Sequence, residues 1–505
     1  MEADLPEDIE ALRAFALEQS RKLAEVMAAK GEAEAEIERL QSIVDAFMRH
    51  RFGPRSEQLD PDQLQLGLED AETALGQARA AQDAAAGPAQ AKSPRKTNRG
   101  SLPAHLERIE QVVDITDKAC PCCGGALHQI GEDGAERLDV VPTTFRVLVT
   151  RRPRYGCRSC EEGVVQAPAP ARIVEGGIPT EALIAPVLVA KYADHLPLYR
   201  QAQIYARQGI QLDRSTLADW VGRAAWYLRP LRDHILERLR RSERLFADET
   251  TAPVLDPGRG RTKTGQLWAY ARDDRPWGGD DPPMVAYVYA ADRKSERAET
   301  HLGDFAGILQ VDGYGGYSAL AKRRQGLHLA FCWAHVRRKF YELADTSPVA
   351  TEVLRRIAQL YAIEADIRGT SAEQRRQART ERSRVLQSLE ARGRQVSAKS
   401  KLDRAIRYAL TRRDGLSRFL DDGRVDLDSN TVERSIRPLA LNRKNALFAG
   451  SDEGGDNWAV IATLIENCKL AGINPHTWLA ETLAKLANGH PANDIAALMP
   501  WTAVA

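Results

Sequence analysis

The chain is expected to be a multidomain α+β protein, and three observations carry that expectation. A heptad of apolar residues runs through residues 9–47. Two C-x-x-C pairs stand at Cys120–Cys123 and Cys157–Cys160. From residue 244, five short β-rich runs follow one another and give way to a long helical stretch. At 505 residues the chain is too long for one ordinary domain, so three or four units are expected.

In the heptad, position a reads Ile9, Ala16, Leu23, Lys30, Ile37 and Val44, and position d reads Leu12, Gln19, Val26, Ala33, Leu40 and Phe47. Sustained apolar a and d positions argue for a self-associating coiled coil. A helical hairpin packed on itself is the alternative, since Gln19, Lys30 and Gly31 weaken the middle. From about Gly67 the chain turns to Ala, Gln, Gly and Pro and ends in basic KSPRKTNRG, which reads as a linker.

Cys120, Cys123, Cys157 and Cys160 have the spacing of two zinc knuckles. Each pair offers thiolates at i and i+3, and together the four can surround a Zn²⁺ ion tetrahedrally. Such a site is structural, because four thiolates leave no open position for water. Four free thiols are the alternative, and Cys122 is surplus. The segment 138–156 is expected to form a β-hairpin between the pairs, with Arg151, Arg152, Arg154 and Arg158 on a basic rim suited to phosphate. An ordinary solvated edge strand would look the same.

Residues 197–228 read as two short helices meeting near Gly209, with Ser215 capping the second. The pattern is helix-turn-helix-like, or simply two packed helices. The strands follow as RLFADETTAPVL, GQLWAYAR, PMVAYVYA, GILQVDGY and LHLAFCWAH, separated by Gly, Pro and Asp turns. Residues 336–425 are almost wholly helical, with long Arg- and Glu-rich faces, and a short helical tail closes the chain.

Charge and composition narrow the function classes. Basic and acidic residues number 71 and 70, yet the Arg and Lys are clustered, so near-neutrality does not exclude a nucleic-acid partner. No run approaches the ~18 apolar residues of a membrane helix. The acidic start lacks the basic n-region of a secretory signal. Cysteines paired as C-x-x-C suit a reducing compartment. The expected location is the cytoplasm, with no membrane partner.

Three carboxylates invite a metal reading. Asp248 ends the apolar run RLFA, Asp312 ends GILQV ahead of Gly313 and Gly315, and Glu433 opens a later helix. Carboxylates at strand ends are the setting in which two divalent ions are bridged for phosphoryl chemistry, and Mg²⁺ needs few of them because it keeps several waters. Each aspartate alone is an ordinary turn residue. Glu433 also has a plain explanation: in DLDSNTVERSIRP it stands three residues after Asn430, the spacing of a capping box.

Taken together, RFGPRSEQL (51–59), CPCCGG with CRSC, KYADHLPLYRQ, STLADWVGRAA, FADET, QVDGYGGY, CWAHVRRKF and SNTVERSIRPLALNRKNALFAGS resemble the transposases of the insertion-sequence 66 family over nearly the whole chain. The resemblance implies an RNase-H-like catalytic core with a helical insertion and a DDE triad falling on Asp248, Asp312 and Glu433. It implies catalytic Mg²⁺ or Mn²⁺ beside the structural Zn²⁺, and DNA partners in the element's terminal inverted repeats and the target. It also implies accessory proteins of the same element, and a homo-oligomer through the coiled coil. The expected units are then 1–65 (coiled coil), 66–115 (linker), 116–165 (zinc module), 171–243 (helical), 244–470 (catalytic core, insertion 341–425) and 471–505 (tail). Cys332 and His335 form a C-x-x-H after the fifth strand; similar pairs follow the second Asp in several DDE groups, which implies shaping the site or contacting DNA, with core packing as the alternative, and they are not expected to bind metal. A non-catalytic DNA-binding regulator, or a nuclease that cuts without joining, are the competing functions.

Overall fold

The computed structural model describes residues 144–156, 164–256, 261–382 and 400–504, with Arg108 and six scattered residues between 13 and 27. The chain divides into two compact units, Met1–Leu148 and Val149–Ala505. In the first, Arg13, Leu17, Glu18, Ser20, Arg21 and Met27 are helical and exposed, but none is an a or d position; the coiled-coil register lies outside the described residues.

The second unit opens on a small antiparallel pair, β1 (Arg154–Gly156) and β2 (Val164–Gln166). This corrects the expected hairpin over 138–156, whose described residues 144–153 form no strand. The hairpin instead brackets the second C-x-x-C, and Gln166 Nε2 donates to the Arg152 carbonyl (2.8 Å) to extend it.

Three helices follow: α1 (Glu181–Tyr192), α2 (Leu198–Arg207) and α3 (Arg214–Arg240). Gly209, at φ +80°, turns the chain between α2 and α3. Ser215 does not cap α3; Asp213 holds the N-cap position. Every third or fourth residue of α3 is buried, from Leu217 and Trp220 to Leu239, in the same core as the main sheet.

That sheet has five strands in the order β5-β4-β3-β6-β7. They are β3 (Arg244–Asp256), β4 (Arg261–Arg272), β5 (Met284–Ala290), β6 (Gly307–Val311) and β7 (Leu327–Phe331). All five expected runs form strands. β3, β4 and β5 are antiparallel neighbours, while β6 and β7 join β3 in parallel. Parallel joins need crossovers, supplied by α4 (Ser295–Leu302) and α5 (Gly315–Arg323). β4 is buried from Gly265 to Arg272 because both of its faces are covered.

Both sheet edges are closed by side chains. Helix α12 (Asp452–Leu470) lies along β5, where Asn467 Oδ1 and Thr463 Oγ1 accept the Val285 and Tyr287 amides (3.3 and 2.9 Å). At the other edge, Arg418 Nε donates to the Leu329 carbonyl (3.0 Å) from α10 (Arg413–Asp421). Otherwise such edges would offer unpaired ladders to another chain.

After β7 come α6 (Trp333–Tyr341), α7 (Pro348–Asp366), α8 (Ala372–Arg382), α9 (Lys401–Leu410) and α10. They build a second core of their own around Trp333, Phe340, Ile357, Leu360, Ile406 and Phe419. The chain then returns through α11 (Asn430–Ala446), α12 and α13 (Pro475–Ala487), ending in two 3₁₀ turns. No helix among the described residues is long and apolar enough to cross a membrane.

Candidate active site

Two parallel strands set the first two carboxylates level with each other. β3 and β6 pair Arg244 with Ile308, Leu245 with Leu309 and Phe246 with Gln310, each pair 64 positions apart. Asp248 and Asp312 have the same separation. They stand two residues beyond the last rung, Asp248 within β3 and Asp312 one residue past the end of β6. Asp248 is not at a strand end, as the run RLFA implied, because β3 continues to Asp256 against β4. The whole run RLFADETTAPVL, not RLFA alone, is the strand. The next residue, Glu249, pairs with Arg293.

Asp312 leaves β6 in a turn that its own side chain shapes, with Oδ1 accepting the Tyr314 amide (2.9 Å). Gly313 between them has φ +109°, and a Cβ there would stand 2.9 Å from Arg412 Nε. The Tyr408 hydroxyl, from α9, donates to the Asp312 carbonyl (3.0 Å). The helical insertion therefore holds the backbone of this turn.

The segment before α11 decides where Glu433 lies. Gln310 Oε1 accepts the Asp426 amide (3.0 Å) and its Nε2 donates to the Asp426 carbonyl (2.9 Å). The Trp333 amide donates to the Leu427 carbonyl (3.0 Å), and the Ser429 amide to Cys332 Sγ (3.4 Å). Arg244 and Arg375 each reach the Asp426 carboxylate (3.3 and 2.9 Å). The start of α11 is thus stitched to β6 and to the start of α6. Gln310 and Asp426 have no sequence signature for this task; a lone Gln in a strand is unremarkable.

The capping box expected of Asn430 and Glu433 is not made. The helix begins at Asn430 with Ser429 as N-cap, and the Asn430 amide donates to Asp428 Oδ1 (3.1 Å). Glu433 Oε1 instead accepts the Ser429 hydroxyl (3.0 Å). Farther along α11, Arg434 and Arg437 are exposed, while Arg443 is tied to Thr250 and Thr251 of β3.

Electrostatics couple the three carboxylates. Burial pushes the Asp248 carboxyl up to about 7, and the negative charges of Asp312, Glu249 and Glu433 push the same way, against the Glu249 amide that donates to its Oδ1 (2.8 Å). The charges that act most strongly on Asp248, those of Asp312, Glu249 and Glu433, are all negative. A partly buried carboxylate repelled by its neighbours is a ready cation ligand, and the all-oxygen donors of Asp248, Asp312 and Glu433 are of the kind a divalent ion takes, although among the described residues the ligand atoms of these three do not all gather within 4.8 Å of one another.

This strain has a measurable sign. A carboxyl raised from 3.8 to about 7 favours the folded state below pH ~4, and that contribution disappears as pH rises through 7. Asp248→Asn should therefore leave stability unchanged near pH 4 and raise it at pH 8 by about 2 kcal/mol, after allowance for solvent screening. Adding Mg²⁺ at pH 8 should stabilise wild type more than the variant. Thermal unfolding from pH 4 to 8, without and with Mg²⁺, checks both; a variant no more stable than wild type at pH 8 refutes the electrostatic picture.

Cys332 and His335 are drawn to the same place. Sγ of Cys332, a ring nitrogen of His335 and a carboxylate oxygen of Glu433 all lie within 4.8 Å of one another. Cys120, Cys123, Cys157 and Cys160, by contrast, lie outside the described residues; β1 and β2 flank the last two.

Residues 176–457 match the family described as Transposase IS66 family. The chain belongs to the IS66 transposase family. Three further family descriptions extend the match: the zinc-finger binding domain of transposase IS66 over 117–161, Transposase C of IS166 homeodomain over 39–110, and the IS66 C-terminal element over 463–501. Two uncharacterized proteins of Sinorhizobium fredii, y4qI and y4jD, are each 47% identical to this transposase, over 99% and 92% of its length and 98% and 94% of theirs. A third, y4hP, is 38% identical over 92% of this chain and 88% of its own. IS66 membership brings with it a zinc-finger module, a leucine-zipper-like region and a transposase role.

Proposed function

We propose that this IS66 transposase cleaves the ends of its element and joins them to target DNA at a site made by Asp248, Asp312 and Glu433 on an RNase-H-like core. The observation that carries the reading is the common 64-residue offset that sets Asp248 level with Asp312, together with the Glu433 charge that reaches Asp248. The mixed order β5-β4-β3-β6-β7, with the two aspartates on its adjacent central strands, supports the core assignment. Two Mg²⁺ or Mn²⁺ ions, when bound, supply activation of the attacking oxygen and charge stabilisation of the leaving one.

The protein's own contribution is placement. Asp248 and Asp312 are held by strand register, and Glu433 by the Gln310–Asp426 clamp. Positioning accounts for much of the rate in phosphoryl transfer. Arg434 and Arg437, exposed on α11, are placed for backbone phosphates. The zinc module at 116–165, with Zn²⁺ on Cys120, Cys123, Cys157 and Cys160, and the helical region 171–243 bind the inverted repeats. The coiled coil of 1–65 pairs protomers so that two ends are held together, and accessory proteins of the element take part.

Labelled element-end DNA and a supercoiled target, incubated with the full chain and accessory proteins, test this. End cleavage and joined products that require Mg²⁺ or Mn²⁺ are expected. Binding with no product under any divalent ion marks a regulator, and cuts never followed by joining mark a nuclease; either result overturns the proposal.

A further inference from the structure

We propose that Cys332, His335 and Glu433 form a separate metal site for a thiolate-preferring, late first-row ion, Zn²⁺ above all. Three observations converge on it. First, the three ligand atoms already cluster within 4.8 Å, and His335 Nδ1 is 3.9 Å from Glu433 Oε1. Zinc bonds of about 2.0–2.3 Å place tetrahedral ligands about 3.3–3.8 Å apart, so small side-chain rotations close the site.

Second, His335 Nδ1 is buried and has no hydrogen-bond partner among the described residues. A buried, unsatisfied polar nitrogen is costly, and a cation supplies what it lacks. The 3.9 Å gap to Glu433 is too long for a hydrogen bond.

Third, the sulfur is held as a ligand would be. Cys332 is the N-cap of α6, and His335 lies three residues on, so both side chains emerge from the same first turn. Cys332 Sγ accepts the Ser429 amide, while the Ser429 hydroxyl donates to Glu433 Oε1. One residue thus orients two of the three ligands, the outer-shell support typical of metal centres. Burial pushes the Cys332 thiol up, against the hydrogen bonds it accepts, so the thiolate is favoured only once a cation is bound.

The donor set separates this site from the carboxylate one. Sulfur, imidazole and a single carboxylate favour Zn²⁺ over Mg²⁺. Three protein ligands leave a fourth position open, unlike a closed four-thiolate knuckle. Glu433 belongs to both groups, so zinc here and magnesium at the aspartates compete for it. That competition rests on the proposed catalytic role; the zinc site does not.

Zinc content of the purified full chain, measured by elemental analysis after dialysis, tests the site. Wild type should hold about one zinc more than Cys332→Ser or His335→Gln. Cys157→Ser/Cys160→Ser should lose a different zinc and keep this one. With Co²⁺ in place of zinc in that double variant, a thiolate charge-transfer band is expected and should vanish on adding Cys332→Ser. Glu433→Gln removes the third ligand from another helix and should show the same loss, which covers the case of Cys332→Ser failing to fold. Zinc counts unchanged by Cys332→Ser, His335→Gln and Glu433→Gln would mean that the cluster is core packing only, and overturn the proposal.

Discussion

Asp312→Asn should abolish end cleavage and joining, by at least ~10³-fold, while element-end binding changes by no more than about twofold. The magnitude follows from losing a charged ligand to ions that contribute several kcal/mol of transition-state stabilisation, at about 1.4 kcal/mol per factor of ten. Asparagine keeps the turn, because an amide oxygen can still accept the Tyr314 amide that Asp312 Oδ1 now accepts. The Gly313 backbone and the Tyr408 contact to the residue-312 carbonyl are untouched by the change. Binding should survive for that reason, and because phosphate contacts elsewhere dominate affinity. Gel-shift titration and product quantification on the same DNA separate the two effects. A variant that retains a tenth or more of wild-type cleavage removes Asp312 from the site. The stability gain expected of Asp248→Asn at high pH has a related origin: burial first, and the neighbouring negative charges second, penalise the ionised Asp248 carboxylate when no cation is bound, a common cost of active sites.

Arg379→Met should loosen the helical insertion by about 3–5 kcal/mol, the usual penalty for removing one partner of a buried ion pair. Arg379 is 0% exposed. Its Nε and Nη2 pair with both oxygens of Glu364 (2.7 Å each), and Nη1 donates to the carbonyls of Phe419, Asp422 and Gly423 (3.0–3.3 Å). Methionine fills much of the volume but takes the guanidinium donor from all three carbonyls, of which Asp422 keeps the Val425 amide (3.2 Å), and leaves Glu364, among the described residues, with Arg375 (3.2 Å). Hydrogen exchange should show amide protection in α7, α8 and α10 lowered by ~10²- to 10³-fold, with α12 and β5 little changed. Adding Glu364→Gln should restore part of it, since no unpaired buried charge then remains. Unchanged protection in Arg379→Met would show the pair to be dispensable.

The effect should also reach the candidate site. Arg375, beside Arg379, bonds both Glu364 and Asp426, and Asp426 is clamped to Gln310 two residues before Asp312. Tyr408, within the insertion, and Asp426, just after it, are therefore two points through which the helical segment reaches the carboxylates' supports.

Much of this architecture can be read from local pattern. The five strands announce themselves by β-branched and aromatic runs between Gly, Pro and Asp, and the end of β6 at Val311 follows from the Asp-Gly after it. Where pattern misleads, a distant partner is responsible. Asp248 reads as the end of RLFA, yet β3 runs on past it because β4 pairs with it as far as Asp256 opposite Arg261, and because residue 449 bridges Val254. Arg375 and Arg379 look like members of a solvated face of EQRRQARTER, yet Glu364 and the carbonyls around Asp422 enclose them. Asn430 and Glu433 have ideal capping spacing, but Asp428 takes the amide and Ser429 takes the carboxylate.

Residue order alone specifies the five main strands, the helical stretches and the cysteine pairs, and sets Asp312 at the end of β6 and Glu433 in the first turn of α11; it misplaces Asp248, which lies inside β3. Periodicity and turn chemistry act within a few residues, so they are written in the sequence itself. How near the Asp312 and Glu433 charges come to Asp248, and the approach of Cys332 and His335 to Glu433, depend on the β3–β6 register and on the Gln310–Asp426 clamp. Those depend on pairing between segments far apart in the chain, where one rung of slippage would turn an aspartate to the opposite face of the sheet.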